Sequence, residues 1–239
     1  MLTLRKHKIS RLEEFSDAVF GFALTLLVIT NDVPRSYGEL LALLQGIPAF
    51  ACCFALLVWI WYEHDAFFER FPLQDGRTVL LNSGLLFVVL LYIYPLKFMF
   101  DAFMLQVFKL GAARPVQAMS FDELARASAI YGFGFFALMS LFALLYLNAT
   151  RQAGALELGP LEVFDASTRG RHHLLSAAVG LFAVALALFL PRQLAYLSPA
   201  SLGLMGPLHA VYGRYMQRRR ARLEAALRPA LAAAEAPVN

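Results

Sequence analysis

Arg11, Glu13, Glu14, Ser16 and Asp17 crowd the start of a segment that then runs uncharged from Ala18 to Thr30. Acids on a helix entering hydrocarbon are costly against lipid and must face protein or water. With a helix start at Ser10, Asp17 lies about 10 Å along the axis at 1.5 Å per residue. Two roles suit it: an interfacial acid paired with Arg11 or another cation, or a member of a functional site. Either role requires this helix to be packed inside an assembly.

Three other constellations carry candidate chemistry. Glu63-His64-Asp65 offers metal-ligating groups, but consecutive helical residues point in different directions, so no metal site is read there. Ile130-Tyr131-Gly132-Phe133-Gly134 superficially resembles a carbonyl filter. It falls inside a helix-length apolar tract, where its glycines suit close helix packing. Asn82-Ser83-Gly84 could supply a nucleophile, Ser83, to a base at His172, His173 or His209, but it lacks the preceding glycine of G-x-S-G. The adjacent His172 and His173 are expected at the membrane interface.

The elements that must position these residues follow from composition. Of 239 residues, 59% are hydrophobic and 16% charged, and the mean hydropathy is +0.60. A soluble chain carries about a quarter charged residues. The charges also cluster, leaving apolar tracts at 14–31, 39–62, 79–98, 124–147, 172–190 and 200–216. Each approaches the roughly 20 residues of helix that span a bilayer. The reading is an all-α membrane protein with six transmembrane helices in residues 1–216. A basic, then Ala-rich, cytoplasmic tail follows over 217–239. The stretch 99–119 reads as a partly apolar outer connection. No signal-peptide cleavage site follows the first tract, so that helix is expected to be retained. Adjacent Cys52 and Cys53 read as small core residues rather than a disulfide framework.

Helix starts are marked independently. Ser10/Glu13, Ser36/Glu39 and Ser120/Glu123 fit the capping box, in which Ser and Glu reciprocally satisfy free backbone N–H groups. Ser198-Pro199 fits an N-cap followed by proline at the first helical position. With both termini cytoplasmic, the inner segments hold most of the 21 Lys and Arg. They include Arg5, Lys6, Lys8 and Arg11 and the arginines beyond Tyr212, as the positive-inside rule requires. The basic tail therefore reads as orientation, not nucleic-acid binding.

Arg11-Leu12-Glu13-Glu14-Phe15-Ser16-Asp17 matches an R-x-x-x-F-S-D signature that continues through Ala18-Val19-Phe20 and Thr25-Leu26-Leu27-Val28 to Val33-Pro34. Trp61-x-x-His64, Asn82 and Pro95 extend the match. On these residues, over about 11–98, the chain resembles the prokaryotic relatives of transmembrane protein 175, the endolysosomal potassium channel. The resemblance implies a homotetramer of six-helix subunits in a prokaryotic inner membrane, with four copies of the first helix lining a central pore. It implies a potassium-selective leak without a re-entrant filter and without a cofactor. Phe22, Leu26 and Ile29, with Thr25 beside them, are the implied pore positions. Arg11, Phe15, Ser16, Asp17, Trp61, His64 and Asn82 are the implied structural network.

This chain departs from the family pattern in three places. Phe22 stands where relatives carry Ile or Leu, Asp65 replaces a second His, and Thr30 replaces an outer acid near Asp32. Competing readings are a secondary transporter, whose clue would be broken helices in two repeats, and an intramembrane serine protease built on Ser83.

Overall fold

The computed structural model describes residues 10–29, 33–108, 120–194 and 196–234, and among these it is helical with no strand. The first helix, α1 (Arg11–Ile29), starts at the expected capping box. The Ser10 N–H donates to Glu13 Oε1 at 3.2 Å, and the Glu13 N–H donates to Ser10 Oγ at 3.3 Å. At Ser120 the box is equally complete. At Ser36 only half forms. The Glu39 N–H donates to Ser36 Oγ, while the Glu39 carboxylate accepts from the N–H of Arg35 at 2.6 Å.

The expected single helix over 39–62 is two: α2 (Tyr37–Gln45) and α3 (Ile47–Phe68), meeting at Gly46. Pro48 is the reason. Its ring has no N–H to donate and would clash with the carbonyl four residues back, so a helix can begin there but not pass through. Next comes α4 (Gly76–Phe108), which carries Pro95 inside and extends ten residues beyond the expected end. Part of the predicted outer connection is therefore helix; residues 109–119 of it lie outside the described residues.

The α5 (Phe121–Arg151) and α6 (Pro160–Phe189) helices form the most extensive pair in the fold. The α6 helix begins twelve residues before its apolar tract, at Pro160, where the Gly159 N–H donates to Glu162 Oε2 at 2.8 Å. Within that helix His173 is buried inside the subunit and stacked on Phe142 and Tyr146 at centroid distances of 5.0 and 5.5 Å.

Two glycines let α5 and α6 approach. A Cβ on Gly180 would lie 3.1 Å from the Gly132 carbonyl oxygen and 3.0 Å from a Phe135 ring carbon. Gly132 thus serves helix packing, as its setting predicts.

A short helix, α7 (Leu197–Ser201), precedes α8 (Met205–Ala234). Ser198 does not cap a helix as expected. Its hydroxyl donates to the Ala183 carbonyl at 2.8 Å, because this buried group finds an α6 carbonyl in reach. Gly206 and Pro207 occupy the first turn of α8, so they start a helix rather than interrupt one. The α8 backbone runs unbroken across the boundary expected at 216–217.

Among the described residues four helices, α3 to α6, are long and apolar enough to cross a membrane. With 19 residues, α1 reaches roughly 28 Å at 1.5 Å per residue, but its four charges set it apart.

Candidate functional site

The buried side of α1 is made by Ser16, Phe20, Ala23 and Leu27, spaced at helical intervals. Ser16 is the polar member, and it does not remain unpaired. Its hydroxyl donates to the Leu12 carbonyl at 2.7 Å and accepts from Asn82 Nδ2 of α4 at 2.9 Å. Asn82 Oδ1 in turn lies 2.8 Å from His64 Nε2 of α3. All three side chains are buried, and the rings of Phe20 and Phe68 flank His64 at 5.3 and 4.8 Å. One turn of α1 is thereby bonded to two other helices, each buried polar group finding a partner where water is excluded.

Asp17, next to Ser16, points to the other side of the junction. Its Oδ1 accepts from the Trp61 indole N–H at 2.8 Å. The acid is held by an indole on α3, and Arg11 makes no ion pair with it among the described residues. Ser16, Asp17, Trp61, His64 and Asn82 therefore converge as a unit. Arg11 and Phe15 are exposed on α1 and make no hydrogen bond or ion pair with this unit among the described residues.

The opposite face of α1 is open. Phe22 is 56% and Ile29 66% exposed, and Thr25 between them is exposed with its hydroxyl donating to the Gly21 carbonyl at 3.0 Å. Leu26 flanks this stripe and packs partly against the subunit's own core. The exposed face also carries Glu14, Ala18 and Gly21. Thr30 and Asp32 lie outside the described residues.

The remaining candidates separate in space. Glu63 approaches His173 at 3.7 Å, His64 faces Asn82, and Asp65 is exposed. Among the described residues no three His, Cys, Asp or Glu side chains gather as metal ligands. Ser83 is exposed and has no hydrogen-bond partner among the described residues. The serine that does meet a histidine is Ser176, 2.8 Å from His209 Nε2.

A second polar knot escaped the reading of the sequence. Asp75 caps α4, accepting from the N–H groups of Arg77 and Thr78 at 3.1 and 3.4 Å. It also accepts from the Thr78 hydroxyl at 2.5 Å and from Gln152 Nε2 at 3.0 Å, while Asn148 Nδ2 donates to Thr78 Oγ1 at 3.0 Å. Burial pulls the Asp75 carboxyl upward, but these hydrogen bonds outweigh it and hold it down to about 2. The signal was present as Asp-x-x-Thr before an apolar tract, an N-cap pattern. Its α5 partners lie more than seventy residues away and leave no local trace.

Long apolar helices, with a charged first helix locked to two of them by buried hydrogen bonds, define a helical membrane protein. The family of the endosomal/lysosomal potassium channel TMEM175 matches this chain over residues 11–92. A potassium channel of Marivirga tractuosa is 35% identical over 224 residues, covering 90% of each chain. The crystal structure of a variant of the potassium channel MtTMEM175, complexed with a nanobody–MBP fusion, has a TM-score of 0.80 at 33% identity. It covers 90% of this chain and 97% of that one. A lysosomal potassium-selective channel TMEM175 homolog from Chamaesiphon minutus shares the fold, with a TM-score of 0.55 at 21% identity over 86% of this chain and 96% of its own.

This chain belongs to the TMEM175 potassium channel family. It is a membrane protein, and its family is one of channels, not enzymes.

Proposed function

We propose that this chain is the subunit of a potassium-selective leak channel of a prokaryotic inner membrane, a homotetramer with four copies of α1 around the conduction axis. The observation that carries this reading is the two-sidedness of α1. One face is locked into the subunit through Ser16 and Asp17, while the other presents Glu14, Ala18, Gly21, Phe22, Thr25 and Ile29, all exposed among the described residues. An acid and a run of small residues do not suit a lipid face, whereas helices that meet around an axis favour small residues between larger ones.

In this reading Phe22, Leu26 and Ile29 supply apolar rings along the pore, and Thr25 is the polar side chain among them. Such a pathway conducts where it stays wide enough to hold water and closes by dewetting, without a charged plug or a carbonyl cage. Six crossings follow from α1, α3, α4, α5, α6 and the first half of α8, with α2 at the outer surface. Both termini then face the cytoplasm, together with Arg70, Arg77, Arg151, Arg169 and Arg171, in keeping with the positive-inside rule.

The test is reconstitution in liposomes with ion flux recorded under potassium and then sodium gradients. Faster potassium flux without ATP or a cosubstrate supports the channel. Flux that requires a coupled ion gradient replaces it with a transporter.

A further inference from the structure

Away from α1, a polar cavity of about 640 Å³ lies between α3, α6 and α8. Three guanidinium groups enter its wall from three elements: Arg70 from the turn after α3, Arg169 from α6 and Arg220 from α8. They are not equivalent. Arg220 is committed, with Nε 2.8 Å from Asp165 Oδ1 and Nη1 3.4 Å from Glu224 Oε2. Arg70 and Arg169 are half-buried and have no carboxylate within ion-pair distance among the described residues. The other acid of the wall, Glu63, faces His173 at 3.7 Å.

Arg70 and Arg169 line one cavity, and neither has a carboxylate of its own at ion-pair distance among the described residues. A half-buried cation in that position attracts an anion more strongly than it would in water. A guanidinium is a planar fork of five donors that matches the oxygens of a phosphate two at a time. A neutral donor stands nearby in Gln217.

The far side of the cavity is fixed in shape. His172 Nδ1 and His209 Nδ1 lie 2.7 Å apart, and His209 Nε2 is 2.8 Å from Ser176 Oγ. One proton shared between the two Nδ1 atoms ties α6 to α8. Arg70 sits in the turn between α3 and α4, two helices long and apolar enough to cross a membrane, so the topology proposed above puts it at the level of phospholipid headgroups. The orientation proposed above makes this the cytoplasmic leaflet.

We propose that this cavity binds a phosphate group carried by an anionic molecule, received by the guanidiniums of Arg70 and Arg169, with Arg220 held in place by Asp165. Two sources carry that chemistry: the headgroup of an anionic phospholipid, and a soluble phosphate. Binding at this cavity does not depend on the pore assignment.

The experiment uses the full chain in its native assembly, in a nonionic detergent, and follows the thermal unfolding midpoint. One arm compares inorganic phosphate with chloride at equal ionic strength. The other compares phosphatidylglycerol with phosphatidylcholine. At least one anionic probe should raise the midpoint by on the order of 5 °C near saturation. A shift with phosphatidylglycerol alone assigns a headgroup, one with phosphate alone assigns a soluble ligand, and one with both assigns the phosphate group itself. Arg70→Gln with Arg169→Gln should abolish the shift. Arg171→Gln, an exposed neighbour on α6 outside this cavity, should retain it. No shift with either probe, a full shift in the double variant, or equal loss in Arg171→Gln overturns the proposal. Should the double variant not assemble, native mass spectrometry of the unaltered protein decides. Retained phosphatidylglycerol or phosphate supports the site, and neither above the phosphatidylcholine background overturns it.

Discussion

Asn82 of α4 donates to Ser16 of α1 across 2.9 Å, and the direction of that bond is dictated by its neighbours. The Ser16 hydroxyl proton goes to the Leu12 carbonyl at 2.7 Å, so its oxygen is left to accept. The Asn82 amide nitrogen must therefore face Ser16, its oxygen must face His64, and His64 must donate through Nε2. One serine thus specifies the orientation of an amide and the donor nitrogen of a ring 2.8 Å further on.

Removing the middle of that chain strands the histidine. Asn82→Leu leaves the His64 Nε2–H without a partner in a buried setting, at a cost of about 1–3 kcal/mol, while Ser16 keeps its bond to the Leu12 carbonyl. Thermal denaturation of the purified assembly should show a lowered midpoint. An unchanged midpoint would mean that the three groups are not coupled.

Asp17 and Trp61 form the companion tether. Asp17→Ala and Trp61→Phe should each reduce the fraction of intact oligomer on size-exclusion chromatography. Their effects should be non-additive by about 0.5–3 kcal/mol in a double-mutant cycle. A normal oligomer with altered ion preference in Asp17→Ala would instead assign Asp17 to the ion pathway.

Phe22 is the largest side chain of the proposed pore stripe and is expected to set its narrowest radius. Phe22→Ala should raise flux several-fold and weaken discrimination between potassium and sodium, while the oligomer stays intact. Liposome flux measured for both ions checks this. Equal flux in Phe22→Ala and the parent chain removes Phe22 from the constriction.

Asp75 makes stability depend on acid. Its folded-state carboxyl is held near about 2, below the ordinary 3.8. A depressed value means that its contribution is fully present above the unfolded value and is lost as pH falls from about 4 towards 2. Asp75→Asn should therefore lower the midpoint most at neutral pH, and the two curves should converge near pH 2. Parallel curves across that window would show that Asp75 is not held down in the folded protein.

At the α5–α6 contact, a methyl group on Gly180 has nowhere to go. Gly180→Ala should cost about 1–3 kcal/mol through overpacking against Gly132 and Phe135. Gly203→Ala, where the space beside the backbone is open, should change the midpoint little. Comparable losses in the two variants would contradict a tight seam.

What could be read from the chain was what is encoded locally. The capping boxes at Ser10 and Ser120 and the apolar tracts placed α1, α4 and α5, because short-range hydrogen bonds and hydropathy are written in adjacent residues. The α2–α3 break was also written, in Gly46 and Pro48, yet continuous hydropathy across 39–62 obscured it. The polar start of α6 was hidden because its first twelve residues resemble a loop in composition. Within the site, family resemblance gathered Ser16, Asp17, Trp61, His64 and Asn82, while nothing local marks His209 as the partner of His172. That pairing depends on how α8 lies against α6, which is a property of packing.

The two tethers of α1 sit within one turn of each other, at Ser16 and Asp17, and beyond Phe20 its buried face continues in Ala23 and Leu27. In the proposed channel this makes α1 a cantilever whose clamp is the Ser16–Asp17 turn. Ile29 lies twelve residues from Asp17 and Phe22 only five, roughly 18 Å and 7.5 Å along the axis. In the proposed pore, any tilt about that clamp would therefore displace Ile29 more than twice as far as Phe22.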